Sequence, residues 1–291
     1  MRLRRGLASL KSRGFDFVFF QRTAIPETAI FEKLSNQLNP RTIFDFDDAI
    51  FLGPSGAASL LRQRAFKAAT SFSRHLIAGN RFLAESAEAP GKTSVIPTVI
   101  DADRYSPTKP GAQARYGTTI GWMGTSTNFR FLEYVAPAIQ RVLAQDKRVR
   151  LRLVSNAYCP VFKAHPQVEQ IPWSAEKELE LLRSFDVGIM PLEDNQLTRG
   201  KCAFKMILYM AVGCPVVVSP VGANIDVLDQ SEAGYLAPDH ETWAARLIEL
   251  VSNEALRRSM GAAGRARVVS TYSVASVIDR YIEIFEKVRQ R

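Results

Sequence analysis

Apolar and polar positions along the chain change period repeatedly, and that alternation is the first structural signal. Phe15 to Gln21 (FDFVFFQ) and Arg41 to Phe46 (RTIFDF) are short apolar runs that read as strands, with a helical stretch from Glu27 to Leu38 between them. A second helical period covers Leu60 to Phe72, and Arg74 to Gly79 (RHLIAG) reads as a strand opening onto Asn80. After position 117 the rhythm resumes. Thr118 to Met123 and Val149 to Val154 read as strands around a helix from Asn128 to Gln145, whose Phe131, Leu132, Val135, Ile139, Val142 and Leu143 keep the i, i+3, i+4, i+7 spacing. A helix over Glu176 to Phe185 then leads to the strand Asp186 to Leu192 (DVGIMPL) and a polar loop, Glu193 to Lys201. Ala203 to Val212 is helical up to Gly213, Pro215 to Ser219 and Tyr235 to Ala237 are strands, and three helices, Glu241 to Val251, Asn253 to Val269 and Val274 to Val288, close the chain. Strand, helix and strand in succession predict an α/β fold built on parallel sheets.

Pro90, Gly91, Pro97, Pro107, Pro110, Gly111 and Gly117 break every period between Ala89 and Thr119. The expected organisation is a first Rossmann-like domain at 1–95, a linker at 96–117 and a second Rossmann-like domain at 118–270. A final helix at 271–291 is free to pack back on the first.

Composition narrows the class. The 291 residues are 46% hydrophobic and 23% charged, with 38 Lys+Arg against 29 Asp+Glu, an ordinary globular balance with net charge +9. No apolar run approaches the roughly 18 residues of a membrane helix, and the first residues lack a signal-peptide core. The expectation is a cytoplasmic protein. Residues 1–14 nevertheless carry Arg2, Arg4, Arg5, Lys11 and Arg13 without an acid, with Leu3, Leu7 and Leu10 at helical spacing. That segment reads either as a solvated basic terminus or as an amphipathic helix that holds the protein peripherally on an anionic membrane. The remaining charge is mixed, with no basic-aromatic stripe, so nucleic acid is not an expected partner. Cys159, Cys202 and Cys214 suit neither a disulfide framework nor a zinc site, and His75, His165 and His240 stand far apart. No metal or cofactor is expected.

Two loops carry candidate chemistry. TTIGWMG runs into Thr125, Ser126, Thr127 and Asn128 at a helix start, where Gly121 and Gly124 admit close approach and free N–H groups favour an anion. The same residues are also ordinary helix caps. In Thr198 to Lys205 (TRGKCAFK), Lys201 and Lys205 lie four apart at the opening of a helix, where the dipole disfavours bare cations and an anionic partner resolves the conflict. Surface lysines that snorkel are the alternative. Trp122, Trp243, Tyr209 and Met210 read as core, whereas Trp173, in a loop after Pro172, reads either as ordinary packing or as a ring that stacks on a base.

These residues resemble a known family. DVGIMPL, the run Gly200 to Val218 (GKCAFKMILYMAVGCPVVV), Gly234 to Ala237 (GYLA), Asn80 to Ala84 (NRFLA), Ile96 to Asp101 (IPTVID), Asp45 to Phe51 (DFDDAIF) and Arg257 to Arg265 (RRSMGAAGR) are similar, in order, to segments of family 4 retaining glycosyltransferases of the GT-B fold. The resemblance covers nearly the whole chain. It implies transfer of a hexose, with retention and without a metal, from a nucleoside diphosphate sugar to a glycan or lipid-linked acceptor. It also implies donor binding in the second domain, with Gly124, Thr125 and Lys205 at the diphosphate and Ile171 and Trp173, in the loop Ile171-Pro-Trp-Ser, at the base; Lys201, beside Lys205, is expected to add diphosphate-binding charge in place of family cations missing from the loop after the first strand of that domain. On the acceptor side it aligns Asp47 with a frequent family histidine. Asp45, Asp47 and Asp48 themselves read as an acceptor-side base, a divalent-cation site or a turn cap. Two departures stand out: a pair of glutamates common in the family is replaced by Gly200 and Leu208. The first βα units of an N-terminal Rossmann domain are also missing, which predicts an incomplete sheet covered by a second chain, a dimer partner or the basic helix. A degenerate, non-catalytic member acting as a nucleotide-binding or partner subunit is the competing expectation, and a nucleotide-sugar epimerase a more remote one.

Overall fold

The computed structural model describes residues 9–107, 117–229 and 231–290. The chain divides into two compact units: Met1–Thr98 with Asp194–Cys202 and Val277–Arg291, and Val99–Glu193 with Ala203–Ser276. Each is a parallel α/β sandwich. The expectation for the basic residues 1–14 falls mainly outside the described residues, and of its apolar face only Leu10 is described, exposed beside a short 3-10 turn, Lys11–Gly14.

In the first unit β1 (Val18–Gln21), β2 (Thr42–Phe46), β3 (His75–Ala78) and β4 (Thr93–Val95) lie in that order, all parallel. β2 and β3 carry apolar side chains on both faces, apart from Thr42, Asp45 and His75, and are almost wholly buried, as strands covered on both sides. Helices α1 (Ile30–Leu38), α2 (Leu60–Phe72) and α3 (Arg81–Ser86) connect the strands. Phe44, Phe46 and Phe66 pack ring against ring at 5.1 to 6.2 Å in the core.

The second unit holds six parallel strands in the order β10-β9-β8-β5-β6-β7. These are β5 (Thr119–Met123), β6 (Arg150–Ser155), β7 (Val168–Pro172), β8 (Val187–Met190), β9 (Val216–Val218) and β10 (Gly234–Leu236). The chain enters at β5, winds outward to β7, then returns through β8 to β10 on the other side. The point of reversal lies between β5 and β8, and ligands of open α/β sheets sit at the carboxyl ends of strands at such a reversal. Helix α4 (Phe129–Gln145) buries the apolar stripe the sequence predicts. The remaining helices are α5 (Glu178–Leu182), α6 (Gln196–Arg199), α7 (Phe204–Ala211), α8 (Ala223–Leu228), α9 (His240–Ser252), α10 (Glu254–Thr271) and α11 (Val274–Gln290). None among the described residues is long and apolar enough to cross a membrane.

Several elements depart from expectation. Ile171 is in no loop: β7 carries the ladder from β6 through Pro172, and proline is tolerated because β7 is the edge strand. α3 and α8, of six residues each, are too short to show a period. Residues 194–202 leave the second unit and cluster with the first.

Candidate functional site

At the reversal point of the second unit, β5 and β8 pair only as far as Ile120 and Gly121, so β5 runs its last residues free of that neighbour. Two glycines make this possible. A Cβ on Gly121 would lie 1.9 Å from the Phe185 ring, and one on Gly188, its partner on β8, 2.5 Å from Tyr209. Both rings therefore fill the space beside the sheet, 5.9 Å apart between centroids. The Tyr209 hydroxyl then accepts the Met123 N–H at 2.8 Å, replacing the ladder bond that β8 does not supply. Burial of that phenol pushes its pKa well up, so it stays neutral.

Directly after Met123 the chain turns at Gly124, whose N–H donates to Val154 O at 2.9 Å. A Cβ here would meet Lys205 Nζ at 2.5 Å, so the glycine leaves the space the ammonium occupies. Lys205 sits on the first turn of α7 with Nζ 4.7 Å from the centre of the Trp122 ring, a cation–π contact. Thr125 caps the 3-10 turn Ser126–Asn128, and its Oγ1 contacts Thr127 Oγ1 at 2.8 Å and accepts Asn128 Nδ2 at 2.9 Å. α4 follows from Phe129. A glycine turn, a helix start and a held ammonium thus converge, the combination that stabilises a phosphate.

Lys201 lies in the loop before α7 rather than on its first turn. The sequence expectation put both lysines on the first turn of one helix, but α7 starts at Phe204 because Ala203 adopts a left-handed φ of +53°. Asn80 Nδ2 donates to the carbonyls of Arg199 and Lys201, both at 3.1 Å, which ties the loop bearing Lys201 into the first unit.

Toward β7, Ile171 packs on the hydrophobic core and also borders a cleft of about 130 Å³ at the ends of β6 and β7. Trp173 follows, exposed, with its indole N–H donated to Glu178 Oε2 at 2.8 Å. The Tyr105 hydroxyl donates to the other oxygen of Glu178 at 2.5 Å. Neither partner was singled out from the sequence, where Glu178 is one of several acids in a charged stretch.

In the first unit Asp45 is on β2 and Asp47 just beyond it. Arg22, at a left-handed φ of +62° past the end of β1, donates from Nε to Asp47 Oδ1 at 2.7 Å, and its backbone N–H donates to Asp45 O. Burial first and the Asp47 charge second push the Asp45 carboxyl up to about 6, with Arg22 pulling it down. Asp48 accepts the N–H of Ala49. No group of three or more His, Cys, Asp and Glu side chains among the described residues is arranged to hold a metal ion. Of the three readings of the aspartates, the cation site has no geometric basis, and Asp48 alone caps a turn.

Comparison with known proteins places these observations. Residues 117–253 match the family described as glycosyl transferases group 1. Spore coat protein SA of Bacillus subtilis (strain 168) is 29% identical over 83 residues, 28% of this chain and 22% of that protein. Among solved structures, Anabaena Alr3699/HepE in complex with UDP and glucose superposes with a TM-score of 0.76 at 13% identity, over 97% of this chain and 80% of that one. Sucrose-phosphate synthase from Thermosynechococcus elongatus gives 0.71 at 14% identity, over 97% and 76%. TarM of S. aureus, in complex with fondaparinux, alpha-GlcNAc-glycerol and UDP, gives 0.65 at 14% identity, over 84% and 50%, so this chain spans about half of TarM. The two-unit parallel α/β architecture is the GT-B fold.

Proposed function

We propose that this chain is a group 1 glycosyltransferase that moves a hexose, with retention, from a nucleoside diphosphate sugar to a glycan or lipid-linked acceptor. The observation that carries the reading is the Lys205 ammonium seated beside Gly124 at the strand reversal of the second unit. Breaking the anomeric C–O bond leaves the electron pair on the departing diphosphate. The Lys205 charge, the Thr125 turn and the helix start offset that charge without a metal. Ile171 and Trp173 border the base. The acceptor hydroxyl bonds to the anomeric carbon on the face the diphosphate leaves and gives its proton to Asp47, held in place by Arg22. Lys201, grouped with the first unit, serves the acceptor side rather than the diphosphate. The basic segment 1–14 suits a peripheral site on the inner face of a membrane, where lipid-linked acceptors reside.

One observation favours a second reading, a nucleotide-binding subunit without transferase activity. A Cβ on Gly200 would meet the Ala49 Cβ at 2.6 Å, and Leu208 is buried at 3% exposure. The first position has no room for the glutamate that the family resemblance places there, and at the second a buried leucine stands in its place.

Thermal shift with UDP-glucose, GDP-mannose and ADP-glucose tests the donor site. A ligand at ~100 times its dissociation constant adds about 2.7 kcal/mol, a rise of several degrees, and Lys205→Ala should abolish it. Silence with every nucleotide overturns the reading. Release of free nucleotide in the presence of lipid-linked glycan, lost in Asp47→Asn, separates the enzyme from the non-catalytic subunit.

A further inference from the structure

A groove of about 370 Å³ runs between α2 and α3 on the first unit, within the size range of small-molecule sites. Helices of a parallel α/β unit return from the carboxyl to the amino ends of its strands, so the last turn of α2 and the residues after α3 lead away from Asp47. None of the groove's lining residues belongs to the donor group or to the aspartates at 45, 47 and 48.

Its floor is apolar. The half-buried Phe51 ring bridges the two helices, with its centroid 5.1 Å from that of Phe66 on α2 and 6.5 Å from that of Phe82 on α3. The rim is polar, and its hydrogen-bonding sense is set. The Thr70, Ser71 and Ser86 hydroxyls donate to the carbonyls of Lys67, Ala68 and Phe82 at 3.0, 2.8 and 2.8 Å. With those protons engaged, the three oxygens can only accept. Gln63 and Lys67 lie four apart on one wall and Glu88 on the other, and their side chains make no hydrogen bond or ion pair among the described residues.

Glu88 stands where glycine is favoured. Its φ is +51°, directly after the residue that closes α3, and its backbone N–H is taken by Glu85 O at 3.1 Å. A carboxylate is thus presented to the groove from a left-handed backbone position that a glycine would occupy at lower cost.

Acceptors outnumber donors along this rim, and the one ammonium offsets the one carboxylate. An anion would face Glu88 and the hydroxyl oxygens, a cation would face Lys67, and an acyl chain would leave the rim groups unused. A neutral ligand rich in O–H donors, with a C–H face to lay on an aromatic ring, matches both rim and floor.

We infer that the groove is a second saccharide site, away from the point of transfer, which holds a neutral sugar unit of the acceptor. Glu88 and the three hydroxyl oxygens accept from sugar hydroxyls, Gln63 and Lys67 donate to them, and Phe51 carries the C–H face. The inference rests on the reading of this chain as a transferase with a glycan acceptor.

The full chain, saturated with UDP, is applied to an array of neutral oligosaccharides with uronic-acid oligosaccharides alongside. Retention of neutral members in preference to acidic ones is expected. Glu88→Gly should weaken the retained oligosaccharide by about tenfold or more, as for loss of a charged hydrogen-bond partner. Its melting temperature should equal or exceed wild type, because glycine suits the left-handed turn. Lys67→Met and Gln63→Ala, on the exposed face of α2, should each weaken binding about threefold or more without a change in melting temperature. No oligosaccharide retained, a preference for the acidic members, or affinity preserved in both Glu88→Gly and Lys67→Met overturns the groove assignment. Binding that Asp47→Asn abolishes and Glu88→Gly leaves intact belongs to the point of transfer and overturns it too. The rise in melting temperature with UDP, read on the same samples, reports the donor site by itself. An intact rise with no oligosaccharide bound removes the groove alone, whereas loss of both removes the transferase reading as well.

Discussion

Asp45 shows how a single residue's surroundings become a measurable property. Its carboxyl is raised from 3.8 to about 6, mainly by burial and then by the neighbouring Asp47 charge. Between these values the folded chain holds a proton that the unfolded chain has released. The neutral form thus supports folding at low pH, and that contribution is lost as pH rises through about 6. Asp45→Asn should leave the stability unchanged near pH 4 and raise it at pH 8, by about 1 to 2 kcal/mol once partial solvent exposure is allowed for. Melts at the two pH values check this, and equal shifts at both would show that ionisation is not the cause. Asp45 and Asp47 were visible in the sequence as acids beside a strand. Arg22, which pairs with Asp47, was not, because its contact joins the ends of two strands twenty-five positions apart and depends on a left-handed backbone turn.

At the scale of elements, α2 ends in an unusual way. Lys92 Nζ donates to the carbonyls of Thr70, Ser71 and Ser73 at 2.7, 3.1 and 2.7 Å, so one ammonium from beyond β3 satisfies the orphan carbonyls of the last turn. Burial of that group lowers its pKa. Lys92→Met keeps the stem and removes the donors, and should cost about 1 to 3 kcal/mol in denaturant unfolding. Lys67→Met, on the exposed face of the same helix, should stay within about 0.5 kcal/mol. Legibility follows the same physics. β2, β3 and α4 were readable because burial on both faces, or on one stripe, writes itself as a period. β7 was not, since Glu169, Gln170 and Pro172 interrupt its apolar positions on a half-exposed edge. The start of α7 was misplaced by one residue, at the left-handed Ala203, and Lys201 groups with the first unit whereas Lys205 belongs to the second. Glycines at 121 and 188 were plain in the sequence, but only the pairing of β5 with β8 shows that they admit Phe185 and Tyr209 and so open the crevice.

For the whole molecule, the first unit is assembled from three separate stretches and the second from two, so the chain changes unit four times. The proline and glycine signals lie near the first of these changes, whereas nothing local marks residues 194–202, whose membership rests on Asn80 reaching across about 120 positions. Every residue assigned here to the donor, Gly124, Thr125, Lys205, Ile171 and Trp173, belongs to the second unit. Its affinity for nucleotide should therefore be insensitive to damage confined to the first. Phe285 offers that damage: on α11 it stacks on Phe17 at 4.8 Å and meets Phe19 and Tyr281 at 6.0 and 5.9 Å. Phe285→Ala should cost about 2 to 3 kcal/mol, less than a fully buried phenylalanine because the ring is only partly buried. Calorimetry should show this as a lowered transition, while the dissociation constant of UDP measured well below that transition stays within about twofold of wild type. A nucleotide affinity that falls in step with stability would mean that the second unit depends on the first for its fold, and that the donor site cannot be assigned to one unit.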